Sequence, residues 1–173
     1  MRTLILMRHA KSSWDTAELD DHARSLSRRG ERDAPRIAAA LRALDVWPDA
    51  VVSSDALRTR QTWRRMAEGN PEVAEVHFTR ELYLEGLPAL QRLAATWPDS
   101  WQVVLALGHN PGWERAAVML SGRADELTTA NAVVLTEATD GAQAGPDACR
   151  PWAEVLGGPM VLRAWLRPRD LEP

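Results

Sequence analysis

The sequence predicts an α/β fold in a single domain over residues 1–173, with a mostly parallel central sheet, helices on both faces and antiparallel pairing near the C-terminus. Three observations predict it. Short apolar runs at 3–7, 50–52 and 101–107 have the length and character of strands buried on both faces. Residues with helical apolar periodicity follow each run, the βαβα alternation of a parallel sheet covered on two sides. The last third instead reads as strands at 132–136 and 160–166 separated by turn-rich sequence.

At 173 residues the chain is long enough to bury a core without covalent staples. Apolar residues at 45% and charged residues at 26% are the balance of an ordinary globular protein. A net charge of −3 supplies no global field for nucleic acid or a membrane surface, so any anion site is local. Lys11 is the only lysine; the other cations are arginines, whose rigid donor fork suits phosphate. Cys149 is the only cysteine, which leaves no intrachain disulfide and no cysteine-based zinc site. No apolar run reaches membrane-spanning length, and the opening stretch is too short for a signal-peptide core and ends in charge at Arg8. These features predict a cytoplasmic protein.

In chain order, the first strand runs into Arg8 and His9. Residues 12–26 are polar and aperiodic and read as a long loop at the strand end, where functional loops concentrate. Ser27 has the place of an N-cap, with Leu26 set to staple onto the first turns. The helix after it carries Ala34, Ile37, Ala38, Leu41 and Leu44 on one stripe, with Pro35 awkwardly inside. A second strand at 50–52 closes with Ser53, Ser54 and Asp55 as capping oxygens. A helix at 56–68 comes next, stopped by Gly69, Asn70 and Pro71. Arg58 falls in its first turn, where amide donors and the helix dipole also point. A weaker strand is expected at 73–78, a helix at 87–97 and a core strand at 101–107. Asn110 as N-cap and Pro111 at the first helical position then predict a helix to about residue 120. Residues 140–151 read as a loop or hairpin tip from which 152–156 returns, before the last strand.

Three strand ends thus offer Arg8 with His9, Arg58, and His109. Open α/β sheets bind ligands beyond the carboxyl ends of their strands. The first stretch alone also fits a histidine that merely caps a strand, with Arg8 in solvent; the other two strand ends favour a site. Two guanidiniums and two imidazoles around one point suit a dianionic phosphoryl group, whose loose transition state spreads charge over three equatorial oxygens. Arg8 and Arg58 can each offer paired N–H donors, and His109 one more. His9 is then the nucleophile. Neighbouring arginines disfavour its imidazolium and keep it neutral. A covalent phosphohistidine hydrolysed by water would split the reaction in two, with no metal or cofactor.

Arg8-His9-Ala10, Asp21-His22, Leu26-Ser27-x-x-Gly30, Ser54-Asp55-Ala56-x-Arg58-x-Arg60-Gln61-Thr62 and Gly108-His109-Asn110-Pro111-Gly112 resemble the motifs of the histidine phosphatase superfamily, which also includes phosphoglycerate mutases and acid phosphatases. Within it, the run from Leu4 to Trp14 and the closing Arg167-Pro168-Arg169-Asp170-Leu171 look most like the small bacterial SixA-type phosphohistidine phosphatases. The resemblance covers nearly the whole chain, with the motifs in order. It implies the phosphoglycerate mutase-like fold, His9 as the phosphorylated residue, and Arg8, Arg58 and His109 as the phosphate pocket. Asn131, where a small apolar segment is expected, and a longer loop at 140–151 depart from the branch and bear on substrate choice.

An alkoxide leaving group benefits from a general acid. Glu81 is the first candidate, with Glu85 and Asp20 behind it; an ordinary solvated turn residue is the equally weighted alternative for Glu81. A phosphohistidine substrate, whose imidazole has an ordinary pKa of ~6.5, needs less help. The expected substrate is therefore a phosphorylated protein bearing phosphohistidine, with a small phosphoester as the alternative. A mutase is disfavoured by chain length, and a catalytically silent phosphoprotein-binding module by the intact nucleophile. His22 and His77 read as structural or exposed, with His22 able to reach the pocket rim. The eight tryptophans read as packing and surface residues, which with the missing basic stripe argues against nucleic acid.

Overall fold

The computed structural model describes residues 1–14, 20–70, 73, 75–138 and 150–171. The strands are β1 (Thr3–Arg8), β2 (Ala50–Ser54), β3 (Glu75–Thr79), β4 (Val103–Gly108), β5 (Ala132–Glu137) and β6 (Met160–Leu166). The helices are α1 (Arg28–Ala43), α2 (Leu57–Ala67), α3 (Leu87–Ala94), α4 (Gly112–Ser121) and the short α5 (Trp152–Val155). The six strands form one sheet in the order β3-β2-β4-β1-β5-β6. β1 to β4 are mutually parallel, β5 runs antiparallel to β1, and β6 antiparallel to β5. The predicted class, a mostly parallel sheet with antiparallel pairing toward the C-terminus, is the one observed.

Alternation along β1 divides the core. Leu4 and Leu6 join Leu90, Trp113, Ala117, Trp152 and Val155 on one face, while Ile5 and Met7 join Ile37, Leu41, Trp63 and Met66 on the other. The split comes from handedness. The chain steps outward from β1 to β2 to β3, so right-handed crossovers put α1 and α2 on one face; it then turns back to β4, which puts α3 on the opposite face. Between the neighbours β1 and β4 the chain leaves toward opposite faces, which opens a crevice at their carboxyl ends.

Ser27 caps α1 as expected: its Oγ accepts from Gly30 N at 3.2 Å and donates to the Lys11 carbonyl at 3.0 Å. α1 continues through Pro35. Three expectations need correction. Asn110 does not cap α4; the helix begins at Gly112, and the Asn110 amide donates instead to Glu114 Oε2 and the Leu127 carbonyl. Residues 152–156 do not return as a strand but form α5, whose Trp152 and Val155, three apart, both face the core. The capping serines before α2 have other work: Ala56 is the N-cap, without a side-chain bond, and Ser54 Oγ turns to His109. The expected loop at 140–151 lies outside the described residues apart from its last two.

Gly30 has no room for a side chain, because a Cβ there would stand 2.2 Å from the Lys11 carbonyl oxygen. Gly158, by contrast, faces open space. Gly30→Ala is expected to cost about 1–3 kcal/mol, as overpacking does, and to lower Tm by roughly 2–12 °C. Gly158→Ala should leave Tm within about 2 °C on the same scale. Thermal denaturation of the two variants side by side checks the pair.

Candidate active site

β1 and β4 pair with Arg8 opposite Gly108, and His9 N extends that ladder by donating to the Gly108 carbonyl at 3.0 Å. The backbone around His9 is tied on three further sides. Arg8 N donates to the Asn131 carbonyl at 3.1 Å, Ala130 N to the His9 carbonyl at 3.0 Å, and Ala10 N to Thr62 Oγ1 of α2 at 3.0 Å. Asn131, unexpected from sequence, closes the turn beneath this point: Oδ1 accepts from the Thr128 hydroxyl at 3.0 Å and Nδ2 donates to the Glu126 carbonyl at 3.3 Å.

The partners of His9 define its tautomer. Nδ1 lies 2.7 Å from the Ala10 carbonyl, which can only accept, so Nδ1 carries the proton. Nε2 lies 3.3 Å from Arg58 Nε, a donor, so Nε2 holds the lone pair. Burial lowers the His9 pKa to about 3; the bond to Ala10 opposes this, and the charges of Arg58, Arg8 and Arg24 add to it. His109 is neutral in the other tautomer. Its Nδ1 faces Arg58 Nη2 at 3.1 Å and its Nε2–H donates to Ser54 Oγ at 2.8 Å. Burial first, then His9 and Arg58, lower its pKa to about 2. The two ring centroids stand 5.1 Å apart.

Arg58, the second residue of α2, joins these groups. Besides both imidazoles it donates to the Asp21 carbonyl and, at 3.0 Å, to Asp21 Oδ2. Asp21 also accepts from Arg24 Nη1 at 2.9 Å and from the Tyr83 hydroxyl at 2.7 Å. Partial burial would raise the Asp21 pKa, but the bonds from Tyr83 and Arg24 and the Arg58 charge outweigh it and hold the carboxyl at about 2. Tyr83 in turn is raised by burial and by Asp21. Its ring stands edge-on to both His22 and His109, and His22 pairs with Asp55 at 2.7 Å. Arg8 Nη1 donates to the Leu127 carbonyl at 3.0 Å, while its buried Nε has no partner among the described residues. Burial lowers the Arg8 pKa against the pull of Glu114 and Glu126.

A cavity of about 210 Å³ opens over this cluster, and Arg8, His9, Arg58 and His109 all line it. Glu81 does not. It sits exposed in a 3₁₀ turn (Arg80–Leu82), with its N–H on Thr79 Oγ1, and neither Glu85 nor Asp20 lines the cavity. Among the described residues, the carboxylate that does is Asp21. His77 is exposed beside Glu75. Sequence reasoning missed the roles of Asp21, Arg24, Tyr83 and Ser54, although Asp21-His22 and Ser54 stand within the family-like motifs. Among the described residues, no three His, Cys, Asp or Glu side chains are grouped to hold a metal ion. No helix among them is long and apolar enough to cross a membrane.

Fold and site define an α/β protein with a histidine-centred anion pocket at the switch point of its sheet. The histidine phosphatase superfamily (branch 1) profile matches residues 4–126, and the chain belongs to that family. An uncharacterized chloroplastic protein of Arabidopsis thaliana is 44% identical over 145 residues, which is 78% of this chain and 66% of that protein, just under two thirds of its length. Among solved structures, a SixA of Nakamurella multipartitia, assigned as a phosphohistidine phosphatase, superposes with a TM-score of 0.74 at 30% identity over 96% of both chains. A protein histidine phosphatase SixA complexed with tungstate, at 20% identity, shares the fold with a TM-score of 0.78 over 98% of this chain and 99% of that one.

Both imidazoles have folded-state pKa values below the ordinary 6.5, so the unfolded chain binds more protons below that pH. Stability is expected to fall as pH drops from about 6.5 toward 3, with a further loss between about 4 and 2 as Asp21 protonates. Imidazole ¹⁵N NMR should show His9 and His109 neutral from pH 8 to about 5; a midpoint near the ordinary ~6.5 for either would contradict the assignment.

Proposed function

We propose that the protein is a phosphatase that transfers a phosphoryl group to His9 Nε2 and then to water, and that its substrate is phosphohistidine in a protein. The observation that carries this reading is the neutral His9. Its Nδ1 proton is committed to a carbonyl, and its Nε2 lone pair faces a pocket bounded by two guanidiniums. Family membership and the SixA neighbour support it.

In the first step Nε2 attacks phosphorus, the N–P bond forms, and the bond to the leaving nitrogen breaks with its electron pair, so that a substrate ring already protonated on its far nitrogen departs as neutral imidazole. In the second step water attacks, the Nε2–P bond breaks, inorganic phosphate leaves and His9 returns to its neutral form. Arg58 turns its donors from the imidazoles to the phosphoryl oxygens, and the partnerless Nε of Arg8 takes another. An arriving dianion opposes the burial that lowers the His109 pKa. Among the described residues the wall offers no carboxylic acid for a basic alkoxide. Asp21 is held at about 2 by three bonding partners, and Glu81 lies outside the cavity. A leaving imidazole tolerates that lack, which favours phosphohistidine over a small phosphomonoester. A silent binding module would not need a neutral histidine whose unprotonated Nε2 lines the pocket. Cytoplasmic residence belongs to the same proposal.

Incubation with a phosphohistidine-bearing protein, followed by alkaline quench and mass spectrometry, is expected to show phosphate on His9. His9→Ala should abolish turnover, and Arg58→Ala should lower kcat by about 10²–10³. Glu81→Gln should change phosphohistidine turnover less than about twofold, since an imidazole with a pKa near ~6.5 leaves without an acid. Turnover of an alkyl phosphate alone, lost in Glu81→Gln, would establish the phosphomonoesterase instead.

A further inference from the structure

Two apolar side chains stand exposed on the rim of this otherwise charged cavity, Trp14 at 72% and Leu84 at 53%. Neither exposure is casual. The backbone leading to Trp14 is latched by the Ser12–Leu26 bridge, by Ser13 N on the Ser25 carbonyl at 2.9 Å and by Ser27 N on the Lys11 carbonyl at 2.8 Å. Beneath the indole lies Arg24, its guanidinium carbon 3.4 Å from the ring centroid. Arg24 is buried and every nitrogen is committed: Nε to the Ser13 carbonyl at 3.1 Å, Nη1 to Asp21 at 2.9 Å and Nη2 to Ser12 Oγ at 2.7 Å. It is a fixed pedestal for Trp14. One indole face is thereby fixed and the other left open.

Leu84 has φ of +59°, a left-handed backbone that strains a leucine and that proteins keep mainly at functional sites. The next two residues lie so close on Gly112 that a Cβ there would stand 2.0 Å from the Glu85 carbonyl oxygen. That contact holds the loop in place, with Leu84 turned outward.

We propose that Trp14, with Leu84, forms an apolar rim that stacks against the planar leaving group of the substrate and so selects phosphorylated rings, imidazole first among them, over alkyl phosphates. The proposal rests on the phosphohistidine reading and extends it from the phosphoryl group to the group that carries it. Aromatic stacking supplies the preference, and the pinned indole contributes it with little loss of side-chain freedom.

The test separates binding from turnover by using phenylphosphonate and methylphosphonate, which present the same anion with and without a ring and are not hydrolysed. Titration calorimetry on the whole protein is expected to show phenylphosphonate binding about tenfold more tightly. In Trp14→Ala that gap should close while methylphosphonate affinity stays unchanged. Trp14→Phe, which restores a ring, should keep most of the gap, whereas Trp14→Leu, which restores only bulk, should not. A wild-type protein without the gap, a gap that survives in Trp14→Ala, or an equal weakening of both ligands would each overturn the proposal. Failure to hydrolyse phosphohistidine while the gap behaves as expected would instead overturn the substrate reading alone.

Discussion

The parallel pairing of β1 with β4 is the constraint on which everything else in the molecule depends. Its register sets Arg8 level with Gly108, so the residue after each strand is a histidine and the two rings meet 5.1 Å apart. A slip of one residue would exchange Leu4 and Leu6 with Ile5 and Met7 between the two cores and turn His9 to the other face. The pairing is therefore enforced by burial along the whole strand, not by the site. Gly108 completes the arrangement, since a Cβ there would fall 2.7 Å from the indole of Trp113. That indole is fully buried and donates to the Ala106 carbonyl at 3.1 Å, so it cannot move aside without loss.

Upon this frame sits a charge problem. Arg58 is almost wholly buried, and a guanidinium in that position is tolerated only if it is paired and its donors are satisfied. Asp21 supplies the pairing, and the two neutral imidazoles take the remaining donors. Burial, with this cation adding to it, keeps the imidazoles unprotonated, and they in turn help hold the cation in place. Asp21 itself is about half exposed, so water can take over its solvation when an anion displaces it from Arg58.

How much of this was legible in the sequence depends on the range of the interaction. Arg8, His9, Arg58 and His109 were legible because each stands at or just beyond the end of a short apolar run, and a buried parallel strand delivers its next residues to one edge of the sheet. Ser27 was legible because its cap acts over three residues. Asp21, Tyr83 and Ser54 were not, since their partners lie 37, 62 and 55 residues away and no local pattern marks them. Asn110 shows the converse failure. Its local sequence is a good cap, but Glu114 and the Leu127 carbonyl compete for the amide and win it. Trp152 and Val155 were misread because a short apolar segment carries no periodicity long enough to separate a turn of helix from a strand.

The same tertiary contacts bear on leaving-group chemistry. Each interaction that depresses Asp21 makes it a better counter-ion and a worse general acid, and each that depresses the imidazoles keeps His9 Nε2 and His109 Nδ1 unprotonated. A pocket tuned this way gains at the attacking end and gives up proton supply at the leaving end. Phosphorus bound to nitrogen tolerates that trade when the leaving ring carries a proton on its far nitrogen, because it then departs as neutral imidazole, whereas an alkoxide must be protonated as it leaves. On the proposed reading, burial first and Arg58 with it set this leaving-group preference, and the Trp14 rim adds to it.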